Sequence, residues 1–279
     1  MLRAMTTISE PWSDAISAYL VHQERVEDVT SETAKLRRGQ LRTVARSIGV
    51  GDPWAVTGEE LRAWCTGRGW SSNNTHRSYR TTLRSFYRWA VGAGRVEVSP
   101  AEELRRVRPQ PPRPNPVPDD VYRAALAVAE PRVRLMIRLS AEAGLRPGEV
   151  ARVHSADLVA EGAEWSLLVH GKGRKDRMVT LPRGLAGQLR GLPAGWAFPG
   201  RDHGHLSPRW VGRVVTRELV AGYTAHKLRH RAGTRFYDAC GHDLRLTAEF
   251  LGHADTKTTM VYVAANRRRM RAAVEAAAA

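Results

Sequence analysis

Cysteine is scarce in this sequence of 279 residues. Cys65 and Cys240 are the only two, and they lie far apart in the chain. A disulfide framework needs several closely spaced cysteines and a zinc site needs paired ligands, so the sequence favours neither. We therefore expect a protein that folds in a reducing compartment without a bound metal.

Long apolar runs are missing as well. The opening residues, MLRAMTTISEPWSDAI, lack the apolar core of a signal peptide, and no stretch approaches the ~18 apolar residues of a membrane span. The sequence thus predicts a cytoplasmic protein that has no membrane partner.

Acidic residues are too few to balance the basic ones. The chain has 28 Asp and Glu against 44 Lys and Arg, which gives a formal net charge of +16 and a pI of about 10.8. Most of the basic residues are arginine, whose planar fork of donors matches phosphate oxygens. Solubility or an Arg-rich coding bias would also account for this charge, but a polyanionic partner is the first expectation.

Proline is concentrated in one segment. Residues 109–118 read PQPPRPNPVP, in which six of ten residues are proline. Such a segment can be neither a helix interior nor a central strand, and it behaves as a stiff spacer. We therefore predict a helical domain at residues 1–108, a linker at 109–118, a second domain at 119–265 and a basic, Ala-rich tail at 266–279.

Apolar periodicity predicts a mainly α fold with a small β-sheet, that is, an α+β protein. Around Trp165, Leu167 and Val169 the apolar residues alternate with others, and a Gly-rich turn and the segment RMVTLP follow, which predicts a β-hairpin or a small sheet. Beyond the hairpin the helical pattern returns and runs to the end of the chain. The predicted helices cover 12–26, 31–48, 58–68 and 72–92 in the first domain and 119–130, 132–143 and 147–154 in the second.

The helix predicted at 72–92 carries an arginine stripe. Its arginines are spaced by three, four and four residues and therefore lie on one face, whereas the apolar residues of the segment fall on another. Charged faces that are merely solvated usually mix both signs, and this one contains no acid. We predict that the stripe contacts DNA phosphates; its members are Arg77, Arg80, Arg84 and Arg88.

The segment AEAGLRPGEVARV places Arg146 between two helix signals. Gly144 is a plausible end of one helix, and Pro147 can begin the next. Glu149 could orient Arg146 through a carboxylate–guanidinium pair, or it could simply sit in a first helical turn, where acids are favoured. Taken alone, Arg146 is more readily explained as a surface or capping arginine than as a catalytic residue.

Two further segments supply candidate residues. In LLVHGKGRKDRMVTLP, Lys172 lies between two glycines at the predicted hairpin tip, where an ordinary charged turn is the simplest explanation. In TAHKLRHRAGTRF, His226 and Arg229 are three residues apart and so share a helical face. His226 and His230 have a spacing that can bind zinc, but no acid or thiol accompanies them, and a phosphate pocket suits the basic surroundings better.

The segment LGHADTKTTMVYV contains His253 and Tyr262. A tyrosine beside Met260, Val261 and Val263 is by default a packing residue with its hydroxyl at the edge of the core. No local feature of this segment identifies Tyr262 as reactive.

The order of these motifs along the chain resembles that of the tyrosine recombinase, or phage integrase, family. The matching segments are GLRPGEV, HGKGRKDR, AHKLRH, LGHADTKTT and Tyr262, and RSFYRWAVGAGRVEVSPA looks like the end of the family's core-binding domain. The resemblance implies a helical core-type DNA-binding domain followed by a mixed α/β catalytic domain. It also implies a catalytic set, which is Arg146, Lys172, His226, Arg229, His253 and Tyr262.

The resemblance further implies a reaction and its partners. Tyr262 would form a 3′-phosphotyrosyl link to DNA without a cofactor, Arg146 and Arg229 would clamp the phosphate, and Lys172, or else its neighbour Lys175, would protonate the leaving group. The implied partners are double-stranded DNA with core-type attachment sites, further copies of the chain in a homotetramer, and an excision directionality factor. Bound in this way, the protein would associate with the nucleoid.

Several alternatives stay open at this level. Phage or mobile-element integration and excision is the first expectation, and an Xer-like dimer resolvase, a type IB topoisomerase and a catalytically idle DNA-binding regulator are the others. Because the chain begins almost directly with the core-binding pattern, we expect no arm-site domain. The Ala-rich end also resembles degradation tags read by bacterial proteases, and Tyr223 and Tyr237 are the fallback nucleophiles.

Overall fold

A computed structural model of the chain describes residues 7–109, 115–171, 176–220 and 222–252. The chain divides into two compact units, Met1–Pro111 and Pro112–Ala279. The division falls inside the proline-rich segment, where the missing donors and fixed φ angles of the prolines oppose regular structure.

The first unit is helical. The four helices predicted there are confirmed to within two residues at each end: α1 (Glu10–Arg25), α2 (Ser31–Ser47), α3 (Gly58–Gly67) and α4 (Asn73–Gly92). A capping box precedes α3, in which Thr57 and Glu60 each accept a hydrogen bond from the other's backbone N–H, at 3.2 and 2.8 Å. Ser72 directly precedes α4, and its hydroxyl caps the helix.

Aromatic side chains form the core of the first unit. Phe86 of α4 is fully buried, stacks between Trp12 and Trp54 at centroid distances of 5.9 and 5.8 Å, and meets the edge of Tyr19 at 5.4 Å. Each such buried ring contributes on the order of 1.5–3 kcal/mol, so this cluster holds α1 against α4.

The second unit is mainly helical with a small sheet, as predicted. Its sheet is antiparallel with the strand order β1-β2-β3. The elements are α5 (Asp119–Val128), α6 (Pro131–Glu142), α7 (Pro147–Ala151), β1 (Leu158–Glu161), β2 (Glu164–Val169), β3 (Arg177–Thr180), α8 (Arg183–Arg190), β4 (Pro199–Asp202), α9 (Pro208–Glu218), α10 (Ala225–Ala239) and α11 (Leu244–Leu251).

The predicted hairpin is confirmed as β2 and β3, in which Leu167 faces Val179. The prediction missed β1, which pairs with β2 on its other side. Strand β1 was not visible in the pattern because most of its residues are exposed, so no apolar alternation marks it.

Two helical predictions in the second unit are wrong in part. Helix α7 ends at Ala151 rather than at residue 154, because His154 is extended and forms an antiparallel bridge with Trp196. The helical pattern also does not continue unbroken after the hairpin: residues 191–207 contain β4 and several glycines and prolines that interrupt a helix. The predicted helical end beyond residue 252, with the Ala-rich tail, lies outside the described residues.

Helix α6 is the centre of the second unit. Met136, Ile137 and Leu139 are fully buried there, and α10 packs along it. Its apolar run is short and interrupted by arginines.

Across the described ranges, no helix is long and apolar enough to cross a membrane.

Candidate active site

Arg146 lies in a tight turn between α6 and α7. Gly144 adopts a left-handed conformation with φ of 65°, and a side-chain carbon there would come within 3.0 Å of Leu251. Arg146 itself is extended, and Pro147 opens α7 directly after it. The turn therefore needs glycine for its backbone and for the close approach of α11, and it fixes where the Arg146 side chain begins.

Glu149, in the first turn of α7, binds both ends of Arg146. Its carboxylate accepts hydrogen bonds from the Arg146 backbone N–H and from Nη1, each at 2.8 Å. The Glu149 side chain is 4% exposed, whereas that of Arg146 is 43% exposed. The buried carboxylate of Glu149 thus holds the guanidinium of Arg146 in place at the solvent-exposed surface.

Two further arginines surround the same carboxylate. Arg177 donates from Nη1 and Nη2 to the two oxygens of Glu149 at 2.9 and 3.0 Å, and Nη1 of Arg229 lies 3.7 Å from Oε2. Burial alone would raise the pKa of Glu149, but the bonds and charge of Arg177, the Arg146 backbone N–H and the charge of Arg229 lower that pKa to about 2. Glu149 is therefore ionised at neutral pH, and the cluster keeps an excess of positive charge.

Arg229 is buried in the second turn of α10. Its side chain is 3% exposed, and its guanidinium donates to the backbone oxygens of Gly144 and Leu251. It therefore ties the turn before Arg146 to the end of α11. The expected contact of Arg229 with a phosphate stays a prediction.

His226 lies in the first turn of the same helix, where its side chain is partly packed against its neighbours and partly exposed to solvent. Packing around its ring, together with the charges of Arg229, Lys227 and Arg146, lowers its pKa. The ring of His230 meets it edge-on at 4.8 Å, and burial lowers the pKa of His230 to about 4, with His226 and the nearby cations adding to the effect. Both imidazoles are consequently neutral near pH 7 and can accept a proton.

The structure brings together four of the residues singled out from the sequence: Arg146, Glu149, His226 and Arg229. Lys172 with its competitor Lys175, His253 and Tyr262 lie outside the described residues. Of the fallback tyrosines, Tyr237 is buried against Leu251, and Tyr223 packs on the main core. In the part of the chain that is described, no group of three His, Cys, Asp or Glu side chains could hold a metal ion.

Arg177 is the residue of this cluster that sequence reasoning missed. It begins β3, five residues after Lys172 in the sequence, and its side chain is 10% exposed. A buried arginine needs a carboxylate partner, so its place on the inner face of a predicted strand could have signalled one. Which carboxylate it would meet could not be read from the sequence.

The arginine stripe of α4 has a mixed environment within the first unit. Arg77 and Arg88 are exposed. Arg80 donates to the backbone oxygen of Leu104 at 2.9 Å, and Arg84 donates to that of Glu102 at 2.8 Å. The stripe thus divides into two residues directed to solvent and two that also hold the segment after the helix.

Helix α9 in the second unit carries a second basic face. Arg209, Arg213 and Arg217 are spaced by four residues and exposed, and Trp210 beside them is 37% exposed. Helix α9 begins at Pro208, which lies close to Gly148 of α7: a Cβ atom at Gly148 would be 3.7 Å from the proline ring. The i, i+4 spacing that revealed the α4 stripe would also have revealed this face.

The profile of the Phage integrase family matches residues 117–269 of this chain. The tyrosine recombinase XerC of Xanthomonas campestris pv. campestris (strain B100) is 29% identical over 286 residues, which cover 92% of this chain and 87% of the relative. XerC of Methylobacterium sp. (strain 4-46) is 33% identical over 226 residues, covering 70% and 68%. A lambda integrase tetramer bound to a Holliday junction shares the fold, with a TM-score of 0.72 at 16% identity over 91% of this chain and 77% of the integrase.

Because the profile match covers more than half of the chain, the chain belongs to the Phage integrase family. With the tyrosine recombinases among its relatives, the chain is a tyrosine-type site-specific recombinase that binds and recombines DNA.

Proposed function

We propose that this recombinase cleaves one DNA strand by transesterification at Tyr262. The tyrosine oxygen bonds to phosphorus, the bond from phosphorus to the 5′ oxygen breaks, His226 takes the tyrosine proton, and Lys172 protonates the departing oxygen. The 3′-phosphotyrosyl link retains the energy of the phosphodiester, so rejoining to another strand needs neither ATP nor a cofactor. His253 donates a hydrogen bond to the phosphate.

The cation cluster around Glu149 is the observation that carries this proposal. Three guanidiniums share one carboxylate, which leaves two positive charges in excess, and Arg146 is the most exposed of the three. A phosphodiester gains negative charge on its non-bridging oxygens as the tyrosine attacks, and donors fixed in advance stabilise that charge. Arg146 contacts those oxygens. Arg229 is the second arginine of the phosphate clamp, and its positive charge, buried beneath Arg146, adds to the stabilisation of the phosphate.

The lowered pKa of His226 favours the neutral imidazole, which is the form that a base needs. Tyrosine ordinarily titrates near ~10, so its attack at neutral pH needs both a proton acceptor and nearby positive charge. An imidazole whose pKa is lowered by burial and by Arg229 is unprotonated at that pH. The same cations that lower the pKa of His226 also favour the tyrosinate.

Two basic surfaces hold the DNA in this proposal. Arg77, Arg80, Arg84 and Arg88 of α4 contact the backbone of a core-type site, and the exposed face of α9 contacts the backbone beside the scissile phosphate. Trp210 on the α9 face supplies an aromatic ring that can pack on sugar or base edges. Both surfaces act on double-stranded DNA.

A suicide substrate tests the chemistry. A DNA with a nick just downstream of the scissile phosphate of a candidate attachment site traps the covalent adduct, because the short fragment that leaves with the free 5′ hydroxyl diffuses away before religation. We expect the wild-type chain to form the adduct, Tyr262→Phe to form none, and the matched variants Tyr223→Phe and Tyr237→Phe to retain it.

Other outcomes would point to the other classes of protein. An adduct that persists in Tyr262→Phe would refute this nucleophile and direct attention to the other tyrosines. Tight DNA binding without any adduct would instead mark an idle regulator. Supercoil relaxation without exchange between paired sites would mark a type IB topoisomerase.

We also propose that the biological reaction is integration and excision of a phage or mobile element by a homotetramer, with a directionality factor for excision. Exchange between two duplexes needs four cleavages, which a tetramer can provide. The second candidate is Xer-like dimer resolution, and the match to a XerC protein over 92% of the chain favours it. Recombination of two non-identical sites, with reversal that requires a further factor, would decide for integration, whereas recombination of identical sites would decide for resolution.

A further inference from the structure

Arg177 has no part in the chemistry described so far, yet it makes two of the hydrogen bonds that fix Glu149. Its Nη1 and Nη2 donate to Oε1 and Oε2 of that residue at 2.9 and 3.0 Å, one to each oxygen. A fork of this kind sets the plane of the carboxylate as well as its position. The Arg177 side chain is 10% exposed, so it has little surface with which to touch DNA.

The orientation of Arg146 depends on that same carboxylate. Oε1 of Glu149 accepts from Nη1 of Arg146, and Oε2 accepts from the Arg146 backbone N–H. Each Glu149 oxygen is thus shared between Arg146 and Arg177. If Arg177 were absent, the carboxylate could rotate within its pocket, and the exposed guanidinium of Arg146 would lose its fixed direction.

Arg177 also contacts the segment next to another predicted catalytic residue. Gly252 adopts a left-handed conformation with φ of 61°, and a side-chain carbon there would lie 2.5 Å from Cδ of Arg177. In the sequence, Gly252 directly precedes His253, and Arg177 follows Lys172 by five residues. One buried side chain therefore touches α7 and the end of α11 from the start of β3.

We propose that Arg177 is a positioning residue for strand cleavage: by clamping Glu149 it directs Arg146 toward the scissile phosphate. The inference rests on the proposed function, because it assumes that Arg146 contacts that phosphate. Arg177 does not touch the reacting atoms. Its effect is on the rate of cleavage rather than on the affinity for DNA.

Single-turnover adduct formation at saturating suicide substrate measures this role. Arg177→Met keeps much of the side-chain volume but removes the fork, and we expect the rate of adduct formation to fall by about 10- to 100-fold, because a small misplacement of a positioned group has an effect of that order. The dissociation constant for an uncleaved site should stay near the wild-type value. Arg177→Lys, which restores one charged contact, should recover part of the rate.

A double-mutant cycle with Glu149→Gln separates positioning from general destabilisation. If Arg177 acts through the carboxylate, Arg177→Met should reduce the rate of the Glu149→Gln variant by a much smaller factor than it reduces that of the wild type. The matched control is Arg183→Met, which breaks the exposed pair of Arg183 with Glu164 on the same sheet and should leave the rate unchanged. Thermal unfolding of each variant shows which of them are folded at the assay temperature.

Two results would overturn the inference: a wild-type rate for folded Arg177→Met, or equal fold-losses for Arg177→Met in both backgrounds. If Arg177→Met does not fold, the Arg177→Lys rate decides, with a wild-type rate counting against the inference. Failure of the proposed function would be recognised separately, since the wild-type chain would then form no adduct or Tyr262→Phe would still form one.

Discussion

The arginines around Glu149 and the arginines along α4 have different surroundings. Around Glu149, three guanidiniums converge on one carboxylate, and two of them are almost completely buried. Along α4, four arginines share one helix face that contains no acid, and two of them donate to backbone oxygens.

The difference lies in what fixes the side chains. A buried charge is expensive unless it is paired, so the Glu149 cluster is held by charge–charge hydrogen bonds in a low-dielectric site. The exposed arginines of α4 are hydrated and lose little when they rotate. The first arrangement is suited to stabilising charge at one point, and the second to following a polyanion.

Arg146→Ala should have the largest effect and would test the first half of this comparison. It removes the exposed guanidinium of the cluster, and loss of a donor directed at a transition-state oxygen lowers rates by about 100- to 1,000-fold. We expect a loss of that size in single-turnover adduct formation, with DNA affinity much less affected. An affinity loss that accounts for the whole effect would show that Arg146 only binds DNA.

Glu149→Gln should lower the free energy of unfolding, because it removes a buried charge and not an exposed one. Arginine bonds and charge depress the pKa of Glu149 from 4.5 to about 2, so its ionisation contributes stability above pH 4.5 and loses it as the pH falls toward 2. At about 1.4 kcal/mol per pKa unit, this contribution is about 3 kcal/mol at neutral pH. Urea unfolding should therefore show the variant destabilised at pH 7 and much closer to wild type at pH 3.

A constant difference between the two proteins from pH 7 to pH 3 would contradict this account. It would mean that the substituted amide perturbs packing and that the charge of Glu149 is not what stabilises the cluster.

Local parts of both regions could be predicted from the sequence. Ser72 as the cap of α4, the left-handed Gly144 and the start of α7 at Pro147 follow from rules that span a few residues. The pairing of Arg146 with Glu149 was one of two alternatives left open, since residues three apart at a helix start are near each other whatever the rest of the chain does.

Contacts between distant segments could not be predicted in this way. Arg177 meets Glu149 across 28 positions, and Arg229 meets the backbone of Gly144 across 85. Such contacts depend on how the sheet and α10 pack against α7, and apolar periodicity does not specify that packing. For the same reason, the sequence did not show that Arg80 and Arg84 are partly engaged with backbone oxygens.

Replacing Arg77 and Arg88 together with Gln tests the second half of the comparison. Both are exposed, and each phosphate contact contributes about one unit to the slope of log affinity against log salt concentration. We expect weaker binding to all DNA sequences, a slope reduced by about two, and an unchanged adduct rate at saturating DNA. Arg25→Gln, at the exposed end of α1, is the matched control, and an equal change in slope there would show that position on the stripe is irrelevant.

Arg80→Gln should have the smallest effect, and it distinguishes the two kinds of arginine within the stripe. Its Nε donates to the backbone oxygen of Leu104, a residue that is 5% exposed, so the substitution leaves a poorly hydrated acceptor without its partner. The loss of one such bond costs about 1–2 kcal/mol in the free energy of unfolding. Arg77→Gln, on the exposed part of the same face, should change it by less than about 0.5 kcal/mol. Equal stability of the two variants in urea would mean that the bond to Leu104 contributes nothing and that the whole stripe serves DNA alone.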